Sequence, residues 1–185
     1  MRPVATVAHP HIDAAEYLAL QSDAGWRLAA ELIGGEAVVI PPSGGHSASV
    51  QGELFFALRS WQQQTSDRGL LLQDVFVALP HGEYLAPDIA WWSAERRPPM
   101  SDGALHGVPE LVVEVLSPAT RANDLGIKRE LYRDSGVREL WLVDPAATSV
   151  TCVREAAAGD AALGANDTLT SELLAGFRLT LSHIF

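Results

Sequence analysis

Apolar positions fall into short runs broken by Gly, Pro and Asp, with one longer stretch at helical spacing. Asp13 opens a short helix through about Leu20, because its carboxylate can accept from the free amides of a first turn. Residues 26–33 and 36–40 are apolar-rich runs joined by Gly34-Gly35. Two residues tolerant of positive φ between such runs predict a hairpin. After the loop Pro41-Pro42-Ser43-Gly44-Gly45, the positions Val50, Leu54, Ala57, Leu58 and Trp61 predict a helix over 46–64 with that face toward the core. Residues 70–79 read as one strand ended by Pro80-His81-Gly82, residues 88–92 as another, and 96–107 as a loop rich in Pro and Gly. Residues 110–116 are nearly all apolar except for two glutamates, the pattern of a strand buried on both faces. Ser117-Pro118 stops it. A helix is expected over 123–134, with Asn123 or Asp124 near its start and Gly136 at its end. A strand over 139–143 ends at Asp144-Pro145, and 149–153 can pair with it. Residues 155–164 read as a surface loop, and 173–181 as a closing strand or edge segment. This order predicts a mixed α/β sandwich.

Length and composition narrow the class. The 185 residues fit one domain over 1–185, and 48% hydrophobic content suffices for a sizeable core. No apolar stretch approaches the roughly 20 residues of a membrane-spanning helix, and the N-terminal segment lacks a secretory pattern. The sole cysteine, Cys152, fits a reducing compartment. A cytoplasmic protein with no membrane partner is the expectation. The formal charge of −10 argues against a general nucleic-acid coat protein, since phosphate binding leans on clustered Lys and Arg. A local basic face is still possible: five of the 13 basic residues fall between Arg121 and Arg138, and Arg96-Arg97 add a second group. Twelve of the 13 are arginine, and Lys128 is the only lysine.

Three residues carry candidate chemistry. Glu114 lies in Leu-Val-Val-Glu-Val-Leu, the most apolar strand, sharing a face with Val112 and Leu116. A carboxylate there costs several kcal/mol to desolvate unless a cation or donors compensate. Asp88, in Pro-Asp-Ile-Ala-Trp-Trp, stands at the start of a hydrophobic strand, though alone it also reads as a turn residue. Two carboxylates near one sheet end make a hard-oxygen site for Mg²⁺ or Mn²⁺. Such an ion lowers the pKa of bound water and neutralises a phosphate in transfer. Asp124, Lys128 and Tyr132 are spaced four apart on the following helix. Lys128 reads either as half of an exposed ion pair or as an ammonium beside the metal site.

Taken together, these residues resemble the Uma-type endonuclease family of the PD-(D/E)XK superfamily. The resemblance rests on Pro87-Asp88, on 111–118, on Asp124, Lys128 and Tyr132, and on Gly136-Val137 with 140–145. Glu31-Leu32-Ile33-Gly34-Gly35-Glu36, Pro41-Pro42-Ser43 and His46 at a helix start extend it to about 13–185. It implies a restriction-endonuclease-like fold, a mixed β-sheet core flanked by helices. It implies Mg²⁺- or Mn²⁺-dependent phosphodiester cleavage, with DNA the expected substrate and with Asp88, Glu114 and the Val115 carbonyl as metal ligands. Two departures stand out. The usual lysine position, two residues after Glu114, holds Leu116, which implies that the following helix supplies the lysine as Lys128. The first helix often brings an acidic residue, whereas here it offers His46, with Glu53 further along. His46 either ligates or positions water, or caps the helix. Glu31 and Glu36 are candidates for outer, supporting contacts.

Other signals are weaker. His81, His106 and His183 lack metal-ligand spacing, which argues against zinc. No nucleophile elbow, P-loop or dinucleotide fingerprint is present. Trp91-Trp92 reads as core plus interface rather than a base-stacking platform. Apolar segments at Phe55-Phe56, Trp91-Trp92 and Phe185 suggest a homodimer. The competing function is a non-catalytic binding or assembly module built on a nuclease-like fold, which the net acidity favours.

Overall fold

A computed structural model describes residues 12–23, 30–155 and 159–185. Helix α1 spans Ala14–Asp23. Asp13 Oδ1 accepts from the Glu16 amide at 2.9 Å, and Glu16 Oε2 accepts from the Asp13 amide at 3.1 Å. This reciprocal box satisfies amides that a first helical turn leaves free. Strands β1 (Ala30–Ile33) and β2 (Glu36–Val39) form the expected hairpin, with Ile33 paired to Glu36. Gly34 and Gly35, at φ 59° and 79°, supply the two positive φ values of a tight turn. The start of the first predicted run, residues 26–29, lies outside the described residues.

Helix α2 (Gly45–Thr65) buries Val50, Leu54, Leu58 and Trp61 on one face. Full burial of a leucine such as Leu54 contributes about 2 kcal/mol. The strand expected over 70–79 is in fact two. β3 (Leu70–Gln73) ends at Asp74, whose φ is +50° and whose amide donates to the Asp88 carbonyl. β4 (Val77–Ala78) then joins a different sheet. Gln73-Asp74 interrupt the apolar run at the change of sheet, but the apolar residues on either side are alike and do not show that they belong to different sheets. β5 (Tyr84–Leu85) follows, then β6 (Ile89–Trp92). The loop over 96–107 contains β7 (Leu105–His106), which pairs parallel with β4.

β8 (Leu111–Val115) is buried at every position, as expected of a strand covered on both faces. The helix predicted over 123–134 is divided. α3 (Arg121–Leu125) and α4 (Ile127–Asp134) meet at Gly126, at φ −103° and ψ −107°. A Cβ there would meet the Ala122 carbonyl oxygen at 2.8 Å. α4 ends as expected at Gly136: the Val137 amide bonds the Tyr132 carbonyl, and the Gly136 amide bonds that of Arg133. This double closure fixes the end of the helix that carries Tyr132.

β9 (Glu139–Asp144) and β10 (Ser149–Arg154) pair antiparallel. β11 (Ala161–Gly164) adds an edge strand where a surface loop was expected; its Ala-Gly composition carries little strand signal, and pairing to β10 decides it. Residues 156–158 of that stretch lie outside the described residues. β12 (Thr168–Thr170) and β13 (Arg178–Thr180) form a two-stranded sheet before a 3₁₀ turn at Leu181–His183.

The strand orders are β2-β1-β5-β4-β7 and β11-β10-β9-β8-β6-β3. In the second sheet β8 and β9 run parallel, while β3, β6, β10 and β11 pair antiparallel to their neighbours, so the sheet is mixed. Side-chain alternation splits its two faces into two cores. Ile89, Trp91, Leu111, Val113 and Val115 pack with α2. Ala90, Trp92, Val112 and Leu116 pack with Tyr132 of α4. Both tryptophans are therefore interior, and Phe55 and Phe185 pack against the first core. Of the segments read as apolar surface, Phe56 alone is strongly exposed, at 69%. Among the described residues no helix is long and apolar enough to cross a membrane.

Candidate active site

Asp88 and Glu114 meet because of strand register. β6 and β8 are antiparallel with Ile89 opposite Val113, so one further step places Asp88 opposite Glu114. Both continue the parity of Ala90, Trp92, Val112 and Leu116, which face the α4 side. Asp88 Oδ2 accepts from the Val115 amide at 2.5 Å. Its carbonyl accepts from Gln51 Nε2 at 3.2 Å, and that same nitrogen donates to Asp74 Oδ1 at 2.8 Å. Asp88 is half-buried. Burial pushes its carboxyl from 3.8 up to about 6; the Val115 amide and Lys128 oppose the rise, while Asp124 and Asp74 add to it.

Behind this pair, α3 and α4 present a buried charge cluster. Lys128 Nζ lies 2.7 Å from Glu114 Oε1, 2.9 Å from Glu31 Oε1 and 3.3 Å from Asp124 Oδ1. Its side chain is 4% exposed. Tyr132 Oη donates to the same Glu114 Oε1 at 2.6 Å. Glu31 Oε1 also accepts from the Ala86 amide at 2.8 Å, tying β1 to the segment that leads into Asp88. Burial by itself would lower the Lys128 pKa, but the charges of Glu114, Glu31 and Asp124 reverse this and hold the ammonium above the ordinary lysine range. Burial pushes the Glu114 carboxyl well up; Lys128 opposes, and Asp124, Asp88 and Glu31 add to it. Burial and the Glu114 charge likewise push the Tyr132 phenol up.

One ammonium therefore faces Glu31, Glu114 and Asp124, with Asp88 a strand away. Asp124 Oδ1 has no hydrogen bond among the described residues, and its contact with Lys128 is an ion pair without hydrogen-bond geometry. This excess of negative charge, made wholly of hard oxygen donors, fits a divalent cation such as Mg²⁺ or Mn²⁺. Among the described residues no three His, Cys, Asp or Glu side chains already form a metal-binding group. A site built on Asp88 and Glu114 would need the backbone or solvent to complete it.

The remaining sequence candidates divide. Glu31, ranked as an outer contact, is buried inside the cluster, whereas Glu36 and Glu53 are exposed. His46 is exposed in the first turn of α2; Gly44 is the N-cap residue, and no side chain caps the helix. The neighbouring Ser47 Oγ reaches toward the Leu116 carbonyl at 3.5 Å. The Val115 amide holds Asp88, so the residue nominated for its carbonyl also positions the first carboxylate. Gln51 and Asp74 were not singled out from sequence. The signal for Gln51 was a polar residue beside Val50 on the buried face of α2; Asp74 broke an apolar run.

The model of the Uma2 family, described as "Putative restriction endonuclease", matches residues 14–182. No curated protein matches. A solved structure described as "a putative nuclease belonging to DUF820 from Anabaena variabilis ATCC 29413" is similar at TM-score 0.79 and 18% identity. The similarity covers 94% of this chain and 97% of that one, and the two share the restriction-endonuclease-like nuclease fold. With nearly its whole length matched, the chain belongs to the Uma2 family of restriction-endonuclease-like proteins.

Proposed function

We propose that the protein is a Mg²⁺- or Mn²⁺-dependent endonuclease that hydrolyses phosphodiester bonds, with DNA as its substrate. The observation that carries this reading is the placement of Asp88 opposite Glu114 at one end of β6 and β8, with Lys128 2.7 Å behind Glu114. Asp88, Glu114 and the Val115 carbonyl would hold the ion. When bound, the ion supplies Lewis acidity toward the scissile phosphate and an acidified water. Asp88, with its carboxyl near 6, is largely ionised at neutral pH and so available to a cation. Its hydrogen bond from the Val115 amide fixes its orientation. Lys128 and Tyr132 hold Glu114 at one oxygen, and the ammonium lowers the cost of gathering negative charge when a phosphate arrives. His46, exposed at the start of α2, would position water or phosphate.

Calorimetric titration with Mn²⁺ and cleavage of labelled single- and double-stranded DNA and RNA test this reading. Wild type should bind Mn²⁺ and cut DNA, and Glu114→Gln should do neither while remaining folded. A second reading, a binding module that keeps the fold, is favoured by one observation: Lys128 is only 4% exposed and saturated by three carboxylates, as a purely structural cation would be. Wild type that binds no Mn²⁺ and cuts nothing would select it.

In either reading, a single domain over residues 1–185 is proposed, and the buried lone Cys152 is consistent with a cytoplasmic location. A homodimer would use the exposed Phe56 on α2. Light scattering at tens of micromolar distinguishes it from a monomer.

A further inference from the structure

Eleven of the 13 cationic side chains lie in the described residues, and seven of these form ion pairs with carboxylates. Among the described residues, Arg59, Arg68, Arg97 and Arg178 have no carboxylate in salt-bridge range. Three of these four, Arg59, Arg68 and Arg97, line a single open cleft of about 490 Å³. Arg59 comes from the last turns of α2, Arg68 from the turn before β3, and Arg97 from the segment after β6. In a chain of net charge −10, this gathering of uncommitted guanidinium groups is the feature to be explained.

The floor of the cleft is fixed. Gln62 is 5% exposed, and its Nε2 donates to the Gly69 carbonyl at 2.8 Å and to Asp67 Oδ1 at 3.2 Å. Its Oε1 accepts from Arg59 at 2.5 Å, which sets the direction of that guanidinium. Asp67 is the acidic residue of the cleft. Its Oδ1 is occupied by the Gly69 amide at 2.9 Å and by Trp91 Nε1 at 3.3 Å, so it closes a turn rather than neutralising an arginine. Planar guanidinium forks suit phosphate oxygens better than they suit isolated water.

We propose that this cleft binds a backbone phosphate of the nucleic acid handled at the Asp88–Glu114 site, a proposal that rests on the nuclease reading for its choice of polymer. The two places lie at opposite ends of the same elements. Asp88 stands just before β6 and Trp92 ends it, about 14 Å apart at the rise of a strand. Gln51, which contacts Asp88, and Arg59 are about 12 Å apart along α2. That interval is about four base-pair rises along a duplex axis.

The test uses anisotropy of labelled DNA and RNA, duplex and single-stranded, with EDTA present so that nothing is cut. The triple variant Arg59→Ala/Arg68→Ala/Arg97→Ala and the milder Arg68→Gln/Arg97→Gln are compared with wild type, with Arg178→Ala as the control. Thermal melting checks that each is folded. The triple variant should bind at least tenfold more weakly. Its slope of log affinity against log salt should be shallower by about 0.9, the change expected for one phosphate no longer neutralised. Arg178→Ala should match wild type. Unchanged affinity and slope in the triple variant would overturn the proposal, as would wild type that binds none of the oligonucleotides. A thermal shift with inorganic phosphate that disappears in the triple variant, while oligonucleotide affinity stays, would assign the cleft to a free anion instead. Binding through the cleft without Mn²⁺-dependent cleavage refutes the nuclease reading alone. Cleavage with unchanged binding in the triple variant refutes this proposal alone.

Discussion

Lys128 Nζ and Glu114 Oε1 lie 2.7 Å apart, one reaching in from α4 and the other out of the central strand β8, each side chain 4% exposed. The ammonium is the one cation in contact with Glu31, Glu114 and Asp124 together among the described residues. Removing a single partner from a buried ion cluster leaves uncompensated charge, which costs far more than the pair itself contributes. Lys128→Met should therefore destabilise the fold by about 3–5 kcal/mol in urea titration. Adding Glu114→Gln to it should recover part of the loss. Additive effects of the two substitutions would mean that the contact carries no coupling energy.

Asp88 gives a pH signature. Its carboxyl titrates at about 6 in the folded protein against 3.8 unfolded, chiefly through burial. The folded state thus holds the proton more tightly. The associated stability is fully present below pH ~3.8 and is lost as pH rises through about 6. Asp88→Asn can still accept from the Val115 amide but has no proton to lose. In EDTA, the variant should be more stable than wild type at pH 7.5 by up to about 3 kcal/mol, with the difference shrinking toward pH 4. Parallel melting-temperature curves for the two proteins over pH 4–8 would contradict it.

Tyr132→Phe removes the 2.6 Å hydrogen bond to Glu114 without changing ring packing. A bond to a charged group contributes about 1.5–3 kcal/mol, so a loss of that order is expected in chemical denaturation. If Tyr132 positions Glu114 for a metal, Mn²⁺ affinity should fall in parallel. A destabilised protein with wild-type Mn²⁺ affinity would leave Tyr132 a purely structural role.

Gly126→Ala puts a Cβ at 2.8 Å from the Ala122 carbonyl oxygen, where α3 gives way to α4. The junction must shift, and with it Asp124 relative to Lys128. Destabilisation of about 1–3 kcal/mol is expected, the range for forcing extra atoms into a packed place. Wild-type stability in this variant would show that the two helices can join without the break.

The sequence by itself determined the features that depend on local chemistry. Asp13 and Glu16 cap α1, Gly34-Gly35 turns the first hairpin, and an apolar run around Glu114 builds a strand covered on both faces. The same run marked Glu114 as needing a cation, and the spacing of Asp124, Lys128 and Tyr132 supplied one. Tertiary structure decided what depends on partners distant in the chain. Asp74 leaves the β ladder at positive φ, so one apolar run serves two sheets. The helix after β8 breaks at Gly126 yet keeps Asp124 on Lys128. Glu31 enters the charge cluster because the β1 hairpin pairs with β5, beside the segment leading into Asp88. Hydrophobic periodicity records which face of an element is buried. It does not record which other element buries that face, and a buried carboxylate takes its partner from there.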